Sequence, residues 1–217
     1  VYVQNGGAVS IVDSRLGQSS TYGIHAEANT RIRECSGNRF AGTQQGSIRI
    51  PVTTLGQISS DNQFTGYGEY EGENRVEVDG GTVDQATTWE PLAVPVHFLE
   101  DAHIAADVTI QPGASFTFAQ SCRLAVEEGG SLDAVAGTNN RITFEGEADV
   151  PGFWDGIEFG SLNPDNVLDS CEIANGGNGG WANVYVQSSG MATVRDCIIR
   201  DSSTAGIIVE DGASLTE

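Results

Sequence analysis

Leu168-Asp-Ser-Cys171-Glu-Ile173 returns twenty-six residues later as Val194-Arg-Asp-Cys197-Ile-Ile199. Ile11-Val-Asp-Ser14-Arg-Leu16 and Ile32-Arg-Glu-Cys35 fit the same template, twenty-one residues apart. The template reads apolar, any, acidic or Ser, Cys or Ser, any, and usually apolar. A spacing of this size accommodates three short strands and three turns, which is one coil of a parallel β-helix. Coils of that kind stack at the strand spacing of about 4.8 Å. Like residues then lie above like residues, and the Cys and Ser positions form an interior ladder. A β-sandwich has no need of recurrence at coil length.

The flanking sequence has the texture such coils require. Val108-Thr-Ile110, Phe116-Thr-Phe118, Leu124-Ala-Val126, Leu132-Asp-Ala134 and Ile142-Thr-Phe144 are short alternations of apolar and polar residues. Turn residues separate them: Pro112-Gly113, Gly129-Gly130 and Gly137-Thr-Asn-Asn140. Alternation with period two places half the side chains in a core and half in water. Short, evenly spaced strands broken by Gly and Asn point to an all-β array, and helix signals are almost absent.

A longer repeat overlies the short one. At an offset of 183 residues, 13 of the first 34 positions are identical to the last 34, without gaps. Val1-Tyr-Val-Gln4 returns as Val184-Tyr-Val-Gln187, Ser19-Ser-Thr21 as Ser202-Ser-Thr204, and Glu34 as Glu217. A long internal repeat is the mark of an array. We expect the chain to be a window on a longer polypeptide, continuing after Glu217 with a sequence like Cys35-Ser-Gly-Asn38.

Three segments follow from these patterns: coils over 1–50, an irregular or edge-strand excursion over 51–105, and coils over 106–217. The middle segment holds Pro51, Pro91 and Pro95, and the acidic passage Tyr67-Gly-Glu-Tyr70-Glu-Gly-Glu73-Asn74. Within it, Val76-Glu-Val78 and Val94-Pro-Val96-His-Phe98 read as strands, the second at an edge or bulge because of Pro95.

The series from Val108 through Gly129-Gly-Ser-Leu132, Arg141-Ile-Thr-Phe144 and Trp154-Asp-Gly-Ile-Glu-Phe159, with Asn183-Val-Tyr-Val-Gln187 and Arg195-Asp-Cys-Ile-Ile199, resembles a known group. It is similar to the right-handed, single-stranded parallel β-helix repeat proteins of large secreted or surface-anchored bacterial and archaeal polypeptides. The resemblance covers residues 1–50 and 106–217 well and the middle weakly. It implies a long, exported, surface-exposed protein. Related β-helices host lyases, hydrolases, tailspikes, adhesins and stalks, so function must be argued from a site.

Charge narrows the partners. Thirty acidic residues face ten basic ones, giving a formal net charge of −20, and every basic residue is arginine. Nucleic acid and anionic membrane surfaces are repelled by such a chain. The acidic, lysine-free composition resembles that of halophilic proteins, in which concentrated salt screens self-repulsion. No apolar run is long enough to cross a membrane as a helix. Four cysteines (Cys35, Cys122, Cys171, Cys197) are too few and too dispersed for a disulfide framework or a zinc site.

Catalytic signatures are scarce. Lysine-based lyase chemistry is excluded by composition. Arg195 and Arg200 become Val12 and Gly17 in the other copy of the repeat, which favours solvated strand-edge arginines. The residue sets of β-helix polygalacturonases are absent: Asn-Thr-Asp, Asp-Asp, Gly-His-Gly and Arg-Ile-Lys. Carboxylate pairs such as Glu127-Glu128 are too common here to be informative. His25, His97 and His103 have no ligand spacing, and His97 reads as a packed histidine. Gly176-Gly-Asn-Gly-Gly180 reads as a turn. The turn Asn163-Pro-Asp165-Asn166 offers carboxylate and carbonyl oxygens of the kind that hold a Ca²⁺ ion, and no other cofactor is expected.

Aromatic residues supply the binding expectation. Tyr67, Tyr70, Trp89, Trp154 and Trp181 fall on loops or coil corners, where exposed rings stack on sugar faces. Trp154 and Trp181 are one coil length apart and are expected to stack on each other. The same rings also suit core-capping positions, which is the preferred reading of the two. Together these features predict a structural or adhesive segment of an extracellular or cell-surface β-helix. Its expected partners are a polysaccharide or cell-surface glycan and, end to end, further repeats. A β-helix lyase or glycoside hydrolase is the alternative.

Overall fold

The computed structural model describes residues 1–65 and 75–217 and forms a parallel β-solenoid of about nine turns. Its longest sheet, sheet I, has nine strands: Tyr2–Val3, Tyr22–Ala26, Gly46–Pro51, Val76–Asp79, Val96–Phe98, Ser115–Phe118, Ile142–Gly146, Cys171–Ala174 and Ile198–Arg200. Sheet II has six: Gly81–Val83, Ala102–Ile104, Arg123–Val126, Gly156–Phe159, Ala182–Val186 and Ala205–Val209. Sheet III also has six: Thr87–Trp89, Asp107–Ile110, Ser131–Val135, Val167–Asp169, Met191–Arg195 and Ser214–Thr216. At the N-terminal end, Ala8–Val12 pairs with Arg31–Ser36, and Arg15–Gly17 with Arg39–Ala41 and Gln63–Thr65. Neighbouring strands within every sheet are parallel and lie one turn apart in sequence, which is why each strand needs only two inward side chains.

The core is a set of vertical columns. On sheet I, Val76, Val96, Phe116, Phe144 and Ile173 lie on successive rungs. A second column runs Ile50, Val78, Phe98, Phe118 and then Gly146, which brings no side chain. Trp154, from the loop that follows, fills that gap. Its ring lies 4.1 Å from that of Phe118 at an interplanar angle of 8°. Its indole N–H donates to the Ala174 carbonyl at 2.8 Å. A single turn cannot close such columns, so each coil is stabilised by burial against the next.

Asparagine amides bracket the corners. Asn62 Oδ1 accepts the Asn38 backbone N–H, and Asn38 Oδ1 accepts that of Ser14, both at 3.0 Å. Their amide nitrogens donate to the carbonyls of Cys35 and Ile11. These buried polar groups are thereby satisfied along the rod axis.

The predicted Cys171–Cys197 ladder is present: Glu172 pairs with Ile198, so the two cysteines precede matched rungs. The twenty-one-residue match of Ser14 with Cys35 is not. Ile11 pairs with Cys35, twenty-four residues on, and Arg15 pairs with Arg39, which puts Ser14 level with Asn38. A bulge between Val9 and Ser10 displaces the register there. Within 51–105 the described residues include regular coil strands. Val76–Asp79, Gly81–Val83, Thr87–Trp89, Val96–Phe98 and Ala102–Ile104 all belong to the three long sheets. Among the described residues the departure is a 3₁₀ turn over Val52–Gln57. Pro95 stands just ahead of a strand paired on both sides, and its carbonyl accepts the Val76 N–H.

The 183-residue repeat is conformational as well as sequential. Left-handed backbone recurs at that offset four times: Gly6 and Ser189, Asp13 and Asp196, Gln18 and Asp201, Asn29 and Gly212. Yet Tyr2–Val3 lies in sheet I, whereas Tyr185 and Val186 lie in sheet II. Tyr2–Val3 opens the nine-stranded order, and Ala182–Val186 follows the eighth strand of that sheet. One repeat therefore advances seven turns plus one strand, and its second copy is laid on a neighbouring face.

Candidate functional site

The outward column of sheet I is His25, Arg49, Glu77, His97, Thr117, Glu145, Ala174 and Arg200, one residue per turn. Such a column is water-facing by its period, yet Glu77 is only 4 % exposed and His97 only 1 %. Their charges are therefore met locally. Arg75 reaches Glu77 at 2.8 Å and Glu147 at 2.9 Å. Tyr22 donates to the second Glu77 oxygen at 2.5 Å. His97 Nδ1 lies 2.9 Å from Thr117 Oγ1, and its Nε2 lies 3.8 Å from Glu147. Arg49 pairs with Asp79 at 2.8 Å. Burial, followed by the nearby Arg75 charge, lowers the His97 imidazole below its ordinary value. Burial and the hydrogen bond to Glu77 raise the Tyr22 hydroxyl.

Beyond this network the same face opens into a recess of about 400 Å³, lined by Thr117, Glu145, Gly146, Glu147, Asp149, Asn175 and Arg200. Asn175 donates to Asp149 at 3.0 Å, and Arg200 is held by Glu172 at 2.9 Å and Asp201 at 2.6 Å. The recess therefore presents the Glu145 carboxylate, the carboxylates of Glu147 and Asp149 held by Arg75 and Asn175, an amide, a hydroxyl and a guanidinium.

Sheet II carries the complementary feature. Trp181 meets Tyr185 edge-on, with centroids 4.7 Å apart, and the Arg123 guanidinium lies 5.2 Å over the indole. Arg123 also pairs with Glu158 at 3.1 Å, and Tyr185 donates to Glu210. Burial raises the Glu158 carboxyl, with Arg123 opposing the shift. The loop leading to Trp181 begins at Asn175, so the recess and the aromatic shelf flank one corner of the rod. Gly156 permits the tight passage beneath it: its φ is +114°, and a Cβ there would lie 1.9 Å from the Ala182 carbonyl oxygen.

Of the predicted aromatic positions among the described residues, only Trp181 is half-exposed. Trp89 is 1 % exposed and Trp154 fully buried, so neither has a free face for a sugar. Trp89 packs on Phe98 and Phe116, and Trp154 stacks on Phe118 rather than on Trp181. Tyr67 and Tyr70 lie outside the described residues. His97, read from the sequence as a packed histidine, is buried as expected, whereas Tyr185, Arg75, Glu77, Glu145 and Glu147 were not singled out, because only rung register brings them together. In the turn considered for Ca²⁺, the Asn166 side chain is turned inward. It accepts the Leu132 N–H and donates to Ser161 and Met191. No group of three or more His, Cys, Asp or Glu residues suited to a metal occurs among the described residues. Comparison with protein-family models, curated proteins and solved structures finds no match.

Proposed function

We propose that this chain is a rigid segment of a large extracellular or cell-surface right-handed β-helix, and that one corner of it holds a neutral glycan. The carrying observation is the pairing of a polar recess with the Trp181–Tyr185 shelf on adjoining faces. Glu147, Asp149, Asn175 and Arg200, held by their own partners, are pre-oriented acceptors and donors for sugar hydroxyls, with Glu145 beside them. An aromatic edge adds an apolar surface for the ring face. A net charge of −20 with Glu145, Glu147 and Asp149 in the recess disfavours uronate polymers. The acidic, lysine-free surface suits a high-salt exterior.

A rod role draws support from sheet I, whose nine stacked strands resist bending and display surface groups one strand spacing apart. The polysaccharide lyase or hydrolase alternative draws none from the most enclosed cluster, since His97 is almost fully covered and Arg75 holds two carboxylates. Titration calorimetry with neutral gluco- and manno-oligosaccharides and with oligogalacturonate tests the reading. We expect binding of a neutral series that weakens at least tenfold in Trp181→Ala and in Glu145→Gln. Binding of oligogalacturonate alone, turnover of any of these, or binding indifferent to both substitutions would overturn it.

A further inference from the structure

We infer that Cys171 and Cys197 are a site of oxidative modification, closing an inter-coil disulfide by exchange with a low-molecular-weight disulfide. Three observations converge on the pair. The residues that follow them, Glu172 and Ile198, are register partners on adjacent strands of sheet I. The residues that precede them, Ser170 and Asp196, share a left-handed backbone with φ of 55° and 52°, so the chain enters both rungs in the same way. Finally, Cys171 Sγ lies 3.3 Å from the Ala134 carbonyl oxygen and Cys197 Sγ lies 3.4 Å from that of Leu168. Ala134 and Leu168 are themselves register partners.

The two thiols therefore point the same way, into the corner between sheets III and I, one strand step apart. Adjacent strands lie about 4.8 Å apart, within the roughly 4.4–6.8 Å Cα separation that disulfides span. Cys197 is half-exposed and Cys171 fully buried, which assigns the order of events. A hydrogen bond from Cys171 also holds the Cys197 thiol below the usual range, while that contact and burial push Cys171 up.

The Cys197 thiolate attacks one sulfur of the small disulfide, breaks its S–S bond and expels one small thiolate. Cys171 then gives up its proton to solvent and attacks the Cys197 sulfur, expelling the second small thiol. Two protein thiols are oxidised and one disulfide is reduced to two thiols. The corner does not need sulfur to fold: in the other copy of the repeat, Ser14 stands at the place of Cys197, with Asn38 on the next rung. Cys35 has Ile11 and Ile58 as rung neighbours, so it has no cysteine to join.

The test does not depend on the glycan reading. The full chain is incubated with oxidised glutathione, denatured, alkylated, and its peptides are mapped without reduction. We expect free thiols to fall from four to two, with one cross-linked peptide joining Cys171 to Cys197. We also expect Cys171→Ser to stop at a single glutathione on Cys197, and Cys197→Ser to leave Cys171 unmodified. Retention of four thiols, a lasting glutathione adduct in the unaltered chain, or a link through Cys35 or Cys122 would overturn the assignment.

Discussion

Trp154 stacks face to face on Phe118, 4.1 Å away, in the space that Gly146 leaves vacant on the next rung. The contact converts a missing side chain into the tightest aromatic packing in the core. Trp154→Ala removes the ring, the stack and the hydrogen bond to Ala174 together, leaving a cavity that neighbouring coils cannot fill. We expect a loss of about 3–5 kcal/mol by urea unfolding. Trp154→Phe keeps the stack but not the N–H, and should lose about half as much or less.

Gly156 is the position where backbone freedom matters most. With φ at +114° and the Ala182 carbonyl 1.9 Å from any added Cβ, alanine must displace a coil. Gly156→Ala should destabilise by about 2 kcal/mol or more, whereas Gly137→Ala, where nothing lies within 4 Å, should be close to neutral. Parallel unfolding curves separate the two.

The buried imidazole of His97 sets a pH dependence whose sign is fixed by burial and by Arg75. Its folded pKa is lowered below 6.5, so the unfolded chain binds the proton more readily. The contribution is complete above pH 6.5 and is lost as pH falls through the folded value. Glu77 and Glu147 oppose the shift without reversing it, and Thr117 holds the other ring nitrogen. Between pH 7.5 and 5 the melting temperature should fall, and His97→Gln should flatten that slope. An unchanged slope would contradict this account.

The fold was legible where neighbouring coils carry like residues at matched rungs. Cys171 and Cys197 sit at matched places in consecutive coils, so their template appeared as a period of twenty-six. Ser14 and Cys35 misled because short apolar alternations match each other at several offsets, and the coil there spans twenty-three residues before the bulge and twenty-four after it. Within 51–105 the alternation of Val76–Val78 and the apolar run ending in Val96-His-Phe98 were legible as strands, whereas Gly81–Val83, Thr87–Trp89 and Ala102–Ile104 were hidden by their brevity, three residues each. The charged cluster was legible only in the packed His97: Tyr22, Arg75, Glu77 and Glu147 meet it because coil stacking brings distant rungs together. Trp89 and Trp154 illustrate the same limit, since no local pattern separates an aromatic that caps a corner from one that fills the core.

Self-repulsion at a net charge of −20 should make stability rise with salt. Between 0.1 and 2 M NaCl we expect the melting temperature to climb by about 5 °C or more. A flat or falling response would remove the support for a high-salt exterior.

The stacking of one coil on the next is tested most directly by pulsed electron–electron spectroscopy between nitroxides on the outer column of sheet III. Thr88, Thr109, Asp133, Val167, Thr193 and Thr216 occupy its successive rungs. Labels at Thr88 and Thr216, with Cys197→Ser to prevent stray labelling, should lie about 24 Å apart, five strand spacings. Moving the first label to Thr109 should shorten the distance by a single spacing, to about 19 Å. Separations that do not change by one strand spacing per turn would contradict the solenoid.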